Sequence, residues 1–176
     1  MPASGDFDTS ATLLDGAEVT IRRLNPADYD AVISLTLTLT DQERYQRFFT
    51  VHPAYIGEWA LSLTAPTAGL VALGVFECGA LIGVANYVEL SRPGWAEIAV
   101  VVAHEQHARG VGTALLHALG RIARSAGQHR FIADVLFENY AMRQVIKDAG
   151  WPVTQHRDGP VVSIEFDLDH IDFASK

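Results

Sequence analysis

Gly110 and Gly112 stand where a β-branched run (Ile98, Val100, Val101, Val102) gives way, through a short polar loop, to a helical pattern. A strand feeding a glycine-rich helix start gathers unpaired N–H donors beside a helix N-terminus. Those donors and the helix dipole favour an anion such as phosphate or pyrophosphate. Glycine also lacks Cβ and lets a bulky anionic group approach the backbone closely. Glu97 opens the same strand a few residues earlier and supplies a carboxylate that could take a proton. His104 and His107 have i, i+3 spacing in the loop, but no carboxylate–cysteine pattern accompanies them, so they read as loop histidines and no metal site is expected. Leu115 occupies the third glycine position of a dinucleotide fingerprint, and no Gly-Lys-Ser/Thr follows, which disfavours the first and excludes a Walker loop. Serine hydrolysis has no support, because Gly-x-Ser-x-Gly is absent.

The elements around this stretch follow from periodicity and caps. Residues 1–16 are polar with scattered glycine and serine and read as a flexible lead-in; 17–170 read as one domain. Glu18 to Leu24 alternates as a strand. Asn25-Pro26 then starts a helix to about Leu37, and Thr40 with Glu43 forms a capping box for a second helix carrying Arg44, Tyr45, Arg47, Phe48 and Phe49. Pro53 to Leu63 is a third helical segment. Leu70–Glu77 and Ala80–Leu90 make a hairpin through Cys78-Gly79, and Trp95–Val102 is the next strand. The glycine loop opens a helix whose Val111, Ala114, Leu115, Ala118, Leu119 and Ile122 share one face. Phe131–Leu136 is a strand, Asn139–Ala149 a helix closed by Gly150, and 153–168 a final hairpin turning at Asp158-Gly159. Three consecutive antiparallel strands followed by a helical crossover predict an α+β fold with a mixed, mostly antiparallel sheet flanked by helices.

The chain has 176 residues, 49% hydrophobic and 19% charged, which suits one globular domain with a sizeable core. One cysteine, Cys78, excludes an internal disulfide framework and a cysteine zinc site and fits a reducing compartment. The first ten residues lack the basic and apolar regions of a signal peptide, and no apolar run reaches membrane-span length, so the cytoplasm is the expected setting. A net charge of −8 disfavours nucleic acid as a partner. Nothing in the sequence fixes an oligomeric state.

This order of elements, with Val102-Ala-His-Glu-Gln-His-Ala-Arg-Gly-Val-Gly112 at its centre, resembles the GNAT (GCN5-related N-acetyltransferase) family over about residues 18 to 168. The family pattern there is Gln/Arg-x-x-Gly-x-Gly/Ala, and His107 departs from it. Arg44 to Phe49, Ala96-Glu97 and Asn139 to Met142 add a closer resemblance to the bacterial protein lysine acetyltransferases. The resemblance implies acetyl-CoA as co-substrate and an amine acceptor, preferably a protein lysine. A small-molecule amine, or a non-catalytic acyl-CoA-binding domain, is the alternative. It implies Glu97 as general base and main-chain groups of Val100, Val101 and Val102 along the pantetheine arm. His107, Ala108, Arg109, Gly110, Val111, Gly112 and Thr113 would lie around the pyrophosphate. Asn139 matches the family's asparagine near the pantetheine but is also an ordinary N-cap, and Arg143, one turn on, could reach the phosphates. Where many members carry a tyrosine as general acid, this chain has Ile146, and Tyr140 points elsewhere on the helix. Arg44 and Arg47 could flank the acceptor, and Glu89 and Glu138 are reserve bases.

Overall fold

The computed structural model describes residues 7–48 and 55–173. Within them eight strands form one sheet in the order β1-β2-β3-β4-β5-β6-β8-β7. The strands are β1 (Asp8–Thr12), β2 (Glu18–Arg23), β3 (Leu70–Glu77), β4 (Ala80–Glu89), β5 (Trp95–Val102), β6 (Arg130–Leu136), β7 (Val153–Asp158) and β8 (Val161–Asp167). All neighbours are antiparallel except β5 and β6, which the helix α4 (Val111–Ser125) connects as a crossover. The expected mixed sheet is therefore present.

Local chemistry sets the helix starts as expected. Asn25 accepts a hydrogen bond from the Ala27 N–H while its own N–H donates to Asp28, so a short 3-10 turn leads into α1 (Tyr29–Leu37). Thr40 and Glu43 cap each other's N–H groups at 2.8 and 3.2 Å and open α2 (Asp41–Phe48). The third helix, α3, spans Ile56–Thr64; Phe49 and the expected start at Pro53 lie outside the described residues. Asn139 caps α5 (Tyr140–Ala149) through the Met142 N–H, and Gly150 ends it at φ 68°.

Helices cover both faces of the sheet. Leu115, Leu116, Leu119 and Ala123 of α4 are fully buried against one face, together with Ile146 and Ala149 of α5. Val32, Leu35, Ala60 and Leu63 of α1 and α3 close the other face over Ala72, Val84 and Val101. Strand alternation explains why β5 serves both cores: Ile98 belongs to the first and Val101 to the second. No helix among the described residues is long and apolar enough to cross a membrane.

One expectation is corrected. Part of the lead-in is a strand, since Asp8–Thr12 pairs with β2 from Asp8↔Arg22 to Thr12↔Glu18. Its Asp-Thr-Ser-Ala-Thr sequence carries almost no apolar alternation. The strand exists because the edge of β2 offers a ladder, and a neighbour of that kind outweighs weak β propensity.

Candidate functional site

β5 and β6 start side by side and then part. Their register runs only through Trp95↔Arg130, Ala96↔Phe131 and Glu97↔Ile132. Each strand then stays with its other neighbour: β5 remains paired to β4 as far as Gly83↔Val102, and β6 to β8 as far as Leu136↔Val161. From Ile98 to Val102, β5 is therefore paired on one side only. A cavity of about 320 Å³ opens in the fork, lined on one wall by Glu97 to Val102 and on the other by Ala133, Asp134 and Val135. Asn139, Met142 and Val145 close it from α5, and Glu43, Gln46 and Arg47 from α2. Alternate N–H and C=O groups along such an edge remain free to pair with an extended guest.

Glu97 stands at the apex of the fork, exposed, and by strand alternation shares its face with Ala99 and Val101 toward α1–α3. Two other carboxylates line the cavity, and both are engaged. Glu43 bonds His104 Nδ1 at 2.7 Å, and Asp134 accepts from the Ser163 hydroxyl at 2.6 Å. Glu97 has no hydrogen-bond partner among the described residues. Its electrostatic neighbour is Arg47, whose guanidinium stacks on Phe48 and Trp59 at 4.8 and 5.6 Å. Burial lowers the Arg47 pKa to about 10 against the opposing pull of Glu97, so it stays charged at neutral pH, with its Nε buried and unpartnered. Arg47 thus lines the cavity, whereas Arg44 turns to Asp41 at 2.7 Å. The reserve base Glu89 is held by Gln128 at 3.1 Å, and neither it nor Glu138 lines the cavity.

At the open end of β5 the loop chemistry resembles an anion cradle. Ala108 and Gly110 adopt φ of 63° and 85°, and Gly110 is the N-cap of α4. Among the described residues, the main-chain amides from Gly110 to Thr113 make no hydrogen bond. The first amide of the helix to be paired is that of Ala114, on the Gly110 carbonyl. Unspent donors at a helix N-terminus suit a diphosphate. The glycines also serve the fold. Gly110 permits the left-handed turn, and Gly112 lets α4 approach α5, since a Cβ there would lie 2.8 Å from Val145.

His107 lines the cavity and donates from Nε2 to the Val102 carbonyl at 3.0 Å, while its Nδ1 lies 3.6 Å from Glu43. Glu43 thus ties α2 to the loop through both histidines. Burial pushes the Glu43 carboxyl up, but the His104 bond, the Thr40 N–H and the two imidazole charges pull it below its ordinary value. The Glu43 bond in turn raises His104. The Glu43 contribution is present above the ordinary carboxyl pKa and is lost as pH falls. That of His104 is full below its ordinary pKa near 6.5 and is lost as pH rises through the raised folded value. Replacing His104 by glutamine is therefore expected to lower the melting temperature at pH 5.5 and to leave it nearly unchanged at pH 9; paired thermal melts check this. No group of three or more metal-ligating side chains occurs among the described residues.

The side chains of Arg109, in the loop, and Arg143, offered from sequence as a reach to the phosphates, are both engaged within the protein. Arg109 binds Asp15 and Glu77 at 2.7 and 2.6 Å, and Arg143 donates to the Phe137 carbonyl at 3.2 Å and lies over the Phe137 ring. Asn139 caps α5 and also lines the cavity. Ile146 is buried in the core, and Tyr140 is 69% exposed and does not line the cavity. Glu43, Gln46 and Asp134 went unrecognised as cavity residues. Only the capping box singled out Glu43, and that signal speaks of a helix start.

A family model described as acetyltransferase (GNAT) domain matches residues 18–151. Acetyltransferase Pat of Mycolicibacterium smegmatis is 27% identical over 155 residues, 86% of this chain and 46% of that protein. The chain thus spans about half the length of this curated relative. The crystal structure of the GNAT domain of S. lividans PAT superposes with a TM-score of 0.82 at 28% identity, covering 95% of this chain and 99% of that one. Spermidine N-acetyltransferase from Vibrio cholerae, in complex with CoA and spermine, shares the fold with a TM-score of 0.67 at 16% identity, covering 86% and 96%. The family model, matched over most of the chain, shows that the chain belongs to the GNAT acetyltransferase family.

Proposed function

We propose that the chain acetylates a primary amine, preferably a protein lysine side chain, with Glu97 as general base and direct attack of the neutral amine on the thioester. The observation that carries this reading is the fork itself: an unpaired β5 edge leads from the loop amides to Glu97, the cavity carboxylate without a hydrogen-bond partner among the described residues. Main-chain groups of Val100, Val101 and Val102 would align the pantetheine arm as an added strand, and an N–H among them would polarise the thioester carbonyl. The amides from His107 to Thr113 would hold the diphosphate, with Asn139 at the opposite wall.

Glu97 answers the main energetic obstacle. A lysine amine of pKa ~10.4 is neutral in roughly one molecule in 2,500 at pH 7, equivalent to about 4.6 kcal/mol. A carboxylate at the apex attracts the ammonium form and takes its proton directly or through water. Among the described residues no tyrosine lines the cavity, and a CoA thiol is acidic enough to leave without strong assistance.

Arg47 bears on the acceptor. A buried guanidinium facing Glu97 repels a second or third positive charge on the incoming molecule. That disfavours polyamines and favours an acceptor presenting one ammonium group, as a lysine side chain does. The resemblance to bacterial protein lysine acetyltransferases supports the same preference, and a cytoplasmic setting goes with it. We read the acetyltransferase domain as residues 17–170 together with the preceding strand β1 and its turn. Thiol release from acetyl-CoA should be fastest with lysine-containing proteins and peptides and slow with spermidine. Faster turnover with a small amine would move the assignment to a small-molecule acceptor, and binding without release would make the domain a non-catalytic acyl-CoA binder.

A further inference from the structure

Resting on the reading of residues 107–113 as the diphosphate cradle, we infer that the β1–β2 turn, residues 13–16, forms the nucleotide end of the donor site. Leu14 is its apolar platform for the adenine of coenzyme A. The turn is bolted to the cradle. The Leu14 N–H donates to the Arg109 carbonyl at 3.0 Å, and Arg109 Nε donates to Asp15 at 2.7 Å. The same guanidinium spans to Glu77 at the end of β3 at 2.6 Å and to Gln106 in the loop, so its charge offsets two carboxylates that would otherwise repel a phosphorylated guest.

The turn is also closed on itself. Leu13 N–H donates to the Ala17 carbonyl, Gly16 N–H to the Leu13 carbonyl, and Ala17 N–H to Asp15. Leu13 is anchored in the core at 5% exposure, while its neighbour Leu14 is 79% exposed. Leu14 lies over the N-cap of α4, close enough that a Cβ on Gly110 would come within 3.2 Å of its Cγ. A large apolar side chain is thus held rigidly in water directly beside the amides assigned to the diphosphate. The group that follows a diphosphate in coenzyme A is a nucleotide, whose base has an apolar face suited to covering such a side chain.

Donor truncation tests the inference. Steady-state constants are measured with acetyl-CoA and with S-acetyl-4′-phosphopantetheine, which lacks the nucleotide, for the wild-type chain, Leu14→Ser and Asp15→Ala. Leu14→Ser changes an exposed residue and should raise the KM for acetyl-CoA about tenfold, the low end for one apolar contact. The KM for the truncated donor and kcat with both should stay put. Asp15→Ala, which unfastens the turn with Leu14 in place, should shift the same constant in the same direction. An unchanged KM for acetyl-CoA in Leu14→Ser, or parallel rises with both donors, overturns the inference while leaving the proposed function intact. A wild-type chain that uses neither donor overturns the donor-site reading and the inference with it.

Discussion

Glu97→Gln is expected to lower kcat at neutral pH by about 10²–10⁴-fold, the usual contribution of a positioned general base. Acetyl-CoA affinity should be nearly unaffected, because the proposed donor contacts are main-chain groups. Glutamine keeps the volume at the apex of the fork but can neither accept the ammonium proton nor attract the cation. The deficit should shrink as pH rises toward ~10, where the lysine amine deprotonates in water and needs no base. Wild-type and variant pH–rate profiles therefore converge at high pH. Turnover by the variant equal to wild type across the range would remove Glu97 from the mechanism.

Phe131→Ala is expected to cost about 3–5 kcal/mol of stability, the range for emptying a fully buried aromatic site. Phe131 has no exposed surface, packs on Tyr87 at a ring separation of 5.7 Å, and pairs with Ala96 one residue before the strands part. It fills the closed end of the fork, so its loss removes both core contacts and the support that aims Glu97 into the cavity. For a chain of this length the melting temperature should fall by roughly 6–20 °C. Calorimetric melts measure this directly. A fall of only a degree or two would mean that the two half-sheets are held together by something other than this junction.

Much of this architecture was legible in the sequence because its signals are local. Thr40 and Glu43 cap one another three residues apart, and β5 with its glycine loop and α4 lie within one continuous stretch. Gly110 at positive φ and Asn139 as an N-cap are likewise decided by nearest neighbours. What could not be read depends on pairings distant along the chain. Nothing in the loop's sequence tells where the Arg109 side chain goes, because its partners Asp15 and Glu77 are 94 and 32 residues away. Arg143, one turn from Asn139, was expected at the phosphates but is drawn to the Phe137 carbonyl and ring. β1 is a strand by virtue of its neighbour, and Glu43 reaches the cavity only because α2 folds over β5, where His104 meets it 61 residues later. The fork itself has no sequence mark: it arises because β6 is paired along its length to β8 while β5 is paired to β4.

In the proposed donor site the amides of residues 107–113 hold the diphosphate of coenzyme A in line with the free edge of β5. Amide-resolved NMR of the isotopically labelled 19.2 kDa chain, titrated with coenzyme A and separately with pantetheine, tests it most directly. Coenzyme A should shift the Gly110, Val111, Gly112 and Thr113 amide resonances strongly, with smaller changes along Ile98–Val102, whereas pantetheine should perturb the strand alone. Binding of coenzyme A that leaves those four amides unmoved would contradict the account.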